Sequence, residues 1–165
     1  AKAAAFGMRT VYVRSPRRPD EVIAGPDGVP YEGLSLDQLL SKSDVVTLHV
    51  PLSPETRHLI NRQSIRLMKP TAYLVNMARG PVVEEAAVVA ALENGWIAGA
   101  ALDVYELEPA VHPGLLRFEN AFLIPHLGSA TRETRTAMCN LAARNLIEVI
   151  EGRPPVTPVP GSYIP

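Results

Sequence analysis

Short runs of β-branched and aliphatic residues alternate along this chain with segments whose apolar positions recur at helical spacing. The runs at 10–13, 44–50, 72–77, 98–104 and 121–124 predict strands, the second of them of the buried type. Between them, 35–41 puts Leu36, Leu39 and Leu40 on one side of a short helix, and 61–68 predicts a helix stopped by Pro70. The alanine-rich segment 84–93 predicts a helix closed by Asn94-Gly95. Over 131–151, Met138, Leu141, Ala142, Asn145, Leu146, Val149 and Ile150 fall at helical spacing, and Gly152 and Pro154 end the segment. Ala1-Lys2-Ala3-Ala4-Ala5-Phe6-Gly7 reads as the last turns of a helix ended by a glycine. Strands alternating with helices predict an α/β protein with a doubly wound parallel sheet, in which every strand's carboxyl end faces the same edge.

Composition narrows this picture only by exclusion. The 165 residues suffice for one core, a domain with a tail. Sixteen basic and seventeen acidic side chains nearly cancel, so no global field points to nucleic acid or a membrane surface. No apolar run of about 18 residues and no signal peptide is present, which predicts a cytoplasmic protein. The lone Cys139 excludes an internal disulfide and is expected to fill apolar space on its helix. Sixteen prolines gather in loops and in the tail Pro154-Pro155-Val156-Thr157-Pro158-Val159-Pro160, which is expected to be extended. His58 and His112 have no partner at metal-ligand spacing, so no metal site is expected. Glu84 and Glu85 open a helix, where the macrodipole favours acids, and Trp96 is expected to pack.

The chemistry gathers where strands run out. Arg79 ends Tyr73-Leu74-Val75-Asn76-Met77-Ala78-Arg79-Gly80, Glu108 follows the strand that ends near Val104, and His126 follows Phe122-Leu123-Ile124-Pro125. The crevice beyond the carboxyl ends is where ligands bind in an open α/β sheet. Arginine forks onto a carboxylate, histidine moves a proton, and a carboxylate favours the charged histidine. Together these are the parts needed to reduce a 2-oxo acid; the alternative is three ordinary polar loop residues. At the end of the first predicted strand, Val11-Tyr12-Val13 runs into Arg14-Ser15-Pro16-Arg17-Arg18 with no acid before Asp20. Arg14, Ser15, Arg17 and Arg18 suit a ribose 2′-phosphate, so NADP is preferred over NAD as cofactor; a solvated basic turn is the alternative.

Four motifs in order carry a resemblance that covers nearly the whole chain. Val50-Pro51-Leu52-Ser53-Pro54-Glu55-Thr56-Arg57-His58-Leu59-Ile60-Asn61, Asn76-Met77-Ala78-Arg79-Gly80, Leu102-Asp103-Val104-Tyr105-Glu106-Leu107-Glu108-Pro109 and Pro125-His126-Leu127-Gly128-Ser129 resemble the D-isomer-specific 2-hydroxyacid dehydrogenases, leaning towards glyoxylate and hydroxypyruvate reductases. The resemblance implies a Rossmann-type fold, NAD(P)H-dependent reduction of a small 2-oxo acid to the D-2-hydroxy acid, and a homodimer. It implies catalytic roles for Arg79, Glu108 and His126. It places His49 and Pro51 on the adenine side of the cofactor, adds Val50 and Thr56 to the cofactor-binding residues, and puts Met77, Ala78, Asp103, Gly128 and Ser129 around the nicotinamide; for Asp103 a plain turn residue is the alternative.

What the sequence lacks shapes the expectation further. A dinucleotide-binding unit opens with a strand, a Gly-x-Gly-x-x-Gly turn and a helix, and no such glycine pattern occurs here. In the order 3-2-1-4-5-6 that strand is central. The chain therefore reads as a fragment: residues 1–129 a partial NAD(P)-binding domain, and 130–165 a helix and tail returning to a substrate-binding domain. By itself it is expected not to turn over, with two strand edges left for another segment to pair. A non-catalytic relative, or an inactive truncated product that only associates with another chain, is the alternative.

Overall fold

The computed structural model describes residues 2–14, 20–25 and 27–159. They divide into two units, Ala1–Pro125 and His126–Pro165. In the first unit β3 (Val45–Leu48), β4 (Tyr73–Asn76), β5 (Gly99–Leu102) and β6 (Ala121–Leu123) form a four-stranded sheet in that order, every pair parallel. β1 (Val11–Val13) and β2 (Glu32–Leu34) form a separate parallel pair. Between the two sheets lies a cleft of about 740 Å³, lined by Thr10 and Val11 on one side and Val45, Val46 and Thr47 on the other. Among the described residues neither facing edge has a second strand partner. That is the division expected of a doubly wound order without its central strand.

Alternation decides what the four-stranded sheet buries. Val46, Leu48, Leu74, Ala100 and Leu102 point into one core with Leu40 of α2 (Leu36–Lys42), with Ile60, Ile65 and Met68, and with Val88, Ala91 and Leu92 of α3 (Glu85–Glu93). The intervening positions Val45, Tyr73 and Phe122 are exposed. A parallel sheet normally carries cover on both faces; here one face is covered and the other is open.

Local signals fix the helices. Ser35 and Gln38 make a reciprocal capping box at the start of α2. α3 stops at Asn94-Gly95, where Gly95 takes a left-handed φ of 65° and the Trp96 N–H reaches back to the Ala91 carbonyl. α1 (Lys2–Ala5) closes in the same way at Gly7, φ 70°. Trp96 packs against the core, with the Arg62 and Arg66 guanidiniums over its ring.

Three expectations need correction. The predicted helix at 61–68 is a turn with one 3-10 stretch, Ile65–Leu67. Asn61 Oδ1 accepts the Gln63 and Ser64 N–H groups, so its side chain competes with helical backbone bonding. β2 was not expected, because Glu32-Gly33-Leu34 lies in a Pro- and Gly-rich stretch and is strand only through its pairing with β1. In the second unit, α4 (Arg132–Ile150) is capped by Thr131, whose hydroxyl accepts the Thr134 N–H. Its apolar stripe is not buried: Met138, Leu146, Ile147, Val149 and Ile150 are exposed, and so is Cys139, which therefore fills no apolar space.

Candidate active site

β4 delivers Arg79 through a turn built on one buried amide. Asn76 is 1% exposed. Its Oδ1 accepts the Ala78 N–H at 3.1 Å, and its Nδ2 donates to the Arg79 carbonyl at 3.2 Å. The turn leaves Met77 exposed and Ala78 buried. The Arg79 side chain is turned back, with Nη1 donating to the Ala78 carbonyl at 2.7 Å. Gly80 follows at a contact no side chain could share: a Cβ there would lie 1.7 Å from the Tyr105 carbonyl oxygen. The backbone just after Arg79 thus presses on the loop that leads to Glu108.

That second loop starts at the end of β5. Asp103 is 3% exposed, and its N–H donates to the Asn76 carbonyl at 3.1 Å, tying the two strand ends together. The Tyr105 hydroxyl, also buried, donates to the Leu102 and Ile124 carbonyls at 3.1 and 2.8 Å. Burial foremost pushes its pKa up; the Ile124 bond opposes this, and the charges of Asp103, Glu85 and Glu108 add to it. Glu108 is exposed, with Oε1 accepting the Tyr105 N–H at 3.2 Å. Arg79 and Glu108 therefore sit on interlocked loops at the carboxyl ends of adjacent parallel strands.

His126 is the first residue of the second unit. Its φ of 53° is in the left-handed region, uncommon for a residue with a Cβ and a frequent mark of functional positions. Gly128 and Ser129 follow it, both exposed.

The remaining cofactor candidates fall on two loops. Arg14 follows β1 and is exposed; its N–H donates to the Leu34 carbonyl at 3.2 Å, and its side chain crosses Gly33. Ser15, Arg17 and Arg18 lie outside the described residues. After β3, His49 Nε2 is 2.9 Å from Thr47 Oγ1. Val50 is half-buried and Pro51 exposed. The Thr56 hydroxyl knits the loop, donating to the Pro51 carbonyl at 2.7 Å and accepting the Ser53 N–H at 2.8 Å. A cation beyond β1 and polar loops beyond β3, β4 and β5 fit the two ends of a nicotinamide dinucleotide. The pyrophosphate between them has no glycine-rich turn in this sequence.

Residue-by-residue reading of the sequence missed a polar cluster behind these loops. His58 Nε2 lies 2.6 Å from Glu106 Oε1. Glu106 Oε2 accepts the Glu85 N–H at 3.0 Å, and buried Glu85 returns the bond to the Glu106 N–H at 2.7 Å. Glu85 also accepts the His112 N–H at 3.2 Å. Separations of 21 to 48 residues left no local signal of it.

Known proteins match this chain over most of its length. The family model for the NAD binding domain of D-isomer specific 2-hydroxyacid dehydrogenases matches residues 1–128. A glyoxylate reductase of Thermofilum pendens is 51% identical over 156 residues, 93% of this chain and 45% of that protein. One of Thermococcus onnurineus is 50% identical, covering 94% of this chain and 46% of that protein. The crystal structure of an NADPH-dependent glyoxylate/hydroxypyruvate reductase of Sinorhizobium meliloti, in complex with NADP and malonate, superposes with a TM-score of 0.84 at 35% identity, covering 96% of this chain and 48% of that one. The chain spans about half the length of the curated relatives it matches.

Proposed function

The chain belongs to the D-isomer specific 2-hydroxyacid dehydrogenases, and from that premise we propose that it carries the nicotinamide-binding and catalytic part of a reductase of glyoxylate or hydroxypyruvate. The observation that supports this reading best is the interlock of the Arg79 and Glu108 loops through Gly80 and Tyr105. It gives a carboxylate-binding cation and an acid–base partner a common scaffold at the edge where α/β sheets bind ligands.

In this reading the bound reduced nicotinamide supplies the hydride. Arg79 binds the substrate carboxylate and carbonyl oxygen, and its charge stabilises the alkoxide as it forms. His126, protonated, donates its proton to that oxygen, and in the oxidative direction it takes the proton back. Glu108 is proposed as the carboxylate that orients His126 in catalysis. Asp103, Met77, Ala78, Gly128 and Ser129 surround the nicotinamide, and His49, Val50, Pro51 and Thr56 line the adenine side. Arg14, with Ser15, Arg17 and Arg18, selects NADP over NAD by meeting the 2′-phosphate. Residues 1–129 are a partial cofactor domain and 130–165 the return to a substrate domain, within a homodimer.

Arg79→Ala tests the site, in an enzyme of the relatives' full length that contains these residues. The kcat/KM for glyoxylate is expected to fall by about 100-fold or more, as when an oxyanion-stabilising group is removed. Unchanged kinetics remove Arg79 from the mechanism. Arg14→Gln is expected to raise the KM for NADPH far more than for NADH, and equal changes would make it an ordinary surface charge. Because the sequence has no Gly-x-Gly-x-x-Gly turn, the 165 residues alone are expected to bind NADPH weakly and not to turn over; fluorescence titration and an NADPH-oxidation assay check both.

A further inference from the structure

We propose that Glu106 is a positioning residue, locking the loop that carries Glu108 to the segment that continues from Arg79. The inference rests on the reading above that Arg79 and Glu108 serve catalysis. Glu106 is held twice. Its N–H is bound by the Glu85 carboxylate at 2.7 Å, and its own carboxylate spans the Glu85 N–H at 3.0 Å and His58 Nε2 at 2.6 Å. Two carboxylates this close are tolerated because they meet at the first turn of α3, where the helix N-terminus favours negative charge, and because His58 faces one of them.

The far end of this clamp is equally fixed. His58 has a left-handed φ of 49°, held by its N–H on the Pro81 carbonyl at 2.8 Å and by Asn61 Nδ2 on its own carbonyl at 3.1 Å. Ile60 then pairs with Val83, its N–H on the Val82 carbonyl, while the Glu84 N–H returns to the Ile60 carbonyl. Residues 58–60 are thereby fastened to 81–84, which follow directly from Arg79 and Gly80. On the other side, Glu106 stands two residues before Glu108 and next to Tyr105, whose N–H orients the Glu108 carboxylate. Any slack at Glu106 reaches Glu108 through a single intervening residue, Leu107, and reaches Tyr105 directly. Glu106 touches no reacting atom in this role; it sets where Glu108 stands relative to Arg79.

The test is made in an enzyme of the relatives' full length that contains these residues, and compares Glu106→Ala, Glu106→Gln and His58→Gln by two readouts, amide hydrogen exchange and steady-state reduction of glyoxylate and hydroxypyruvate well below the unfolding temperature. In Glu106→Ala, exchange at the amides of residues 105–108 is expected to accelerate while the strands β3–β6 stay protected. The kcat is expected to fall on the order of 10- to 100-fold, the loss typical of a catalytic group displaced by about an ångström. The KM for NADPH should barely move. Glu106→Gln keeps an acceptor for the Glu85 N–H and should recover most of the turnover, with His58→Gln in between; these two carry the test if the alanine variant does not fold. Wild-type exchange at 105–108, or loosened exchange with wild-type kcat, overturns the proposal. Failure of the underlying reading is seen separately, as an unaltered protein that reduces neither substrate although Glu106→Ala loosens the loop; that result overturns the positioning role as well.

Discussion

The four-stranded sheet and the two-stranded ribbon of the first unit are both parallel and made of strands of three or four residues, yet they are held by different forces. In β3–β6, each strand contributes to the covered face, and Leu74 is fully buried. In β1 no residue is buried, and in β2 only Leu34 is. The ribbon instead relies on its backbone ladder, the exposed Arg9–Glu32 ion pair and the capped helix α2 beside it. Among the described residues, both sheets present an unpaired edge to the cleft between them. Strand propensity is therefore only half of a strand; the rest is a neighbour on each side and a helix on the face.

The largest effect that sharpens this contrast is a cavity in the well-packed sheet. Leu74→Ala at the centre of β4 is expected to cost about 2–5 kcal/mol in urea unfolding, whereas Val13→Ala, at a site 41% exposed, should cost about 0.5 kcal/mol or less. Equal losses would mean the ribbon is as well packed as the sheet and would break the comparison. Next in size is Gly80→Ala. Its added methyl meets the Tyr105 carbonyl, a backbone atom that cannot swing aside, so about 1–3 kcal/mol is expected, with a loss of glyoxylate reduction, in an enzyme of the relatives' full length, from the disturbed Arg79 and Glu108 loops. A stable variant with native turnover would show that the two loops are not interlocked.

The same contrast explains what could be read from the sequence. β3 to β6 and α3 were legible because each carries its own periodicity and ends at its own signal, such as Asn94-Gly95. The positions of Arg79, Glu108 and His126 beyond β4, β5 and β6 followed from those boundaries. β2 was not legible, since Glu32-Gly33-Leu34 has no alternation to read and becomes strand only when β1 lies alongside. The region 61–68 misled because its apolar spacing is helical while Asn61 and Ser64 divert the backbone bonds to side chains. His58, Glu106 and Glu85 each looked ordinary alone. What joins them is the crossover geometry of the sheet, which no local pattern encodes.

A smaller effect probes how firmly the carboxyl edge of the large sheet is tied. The Tyr105 hydroxyl bridges the ends of β5 and β6, and Tyr105→Phe should cost about 1 kcal/mol, the usual net value of such a bond. Its pH dependence has a definite sign. Burial holds the folded-state pKa above 10.0, so the folded protein keeps this proton more tightly than the unfolded chain. The contribution is complete below pH 10.0 and is lost as pH rises through the folded-state value. Absorbance titration should show a late-ionising tyrosine, and that late phase should vanish in Tyr105→Phe. A variant that keeps it would place the buried phenol elsewhere.

The smallest effect is expected where the ribbon looks best connected on paper. Arg9 and Glu32 form an ion pair across β1–β2, but their side chains are 79% and 44% exposed. Water and salt screen such a pair, and ordering two long side chains opposes it, so Arg9→Ala should change the unfolding free energy by about 0–1 kcal/mol. Raising salt to about 1 M, where the Debye length shrinks to about 3 Å, should erase even that difference. A loss of several kcal/mol that persists in high salt would mean Arg9 is desolvated, as it would be if another strand occupied the cleft whose wall it helps to form. The ribbon would then be the flank of a continuous sheet, and its contrast with β3–β6 would disappear.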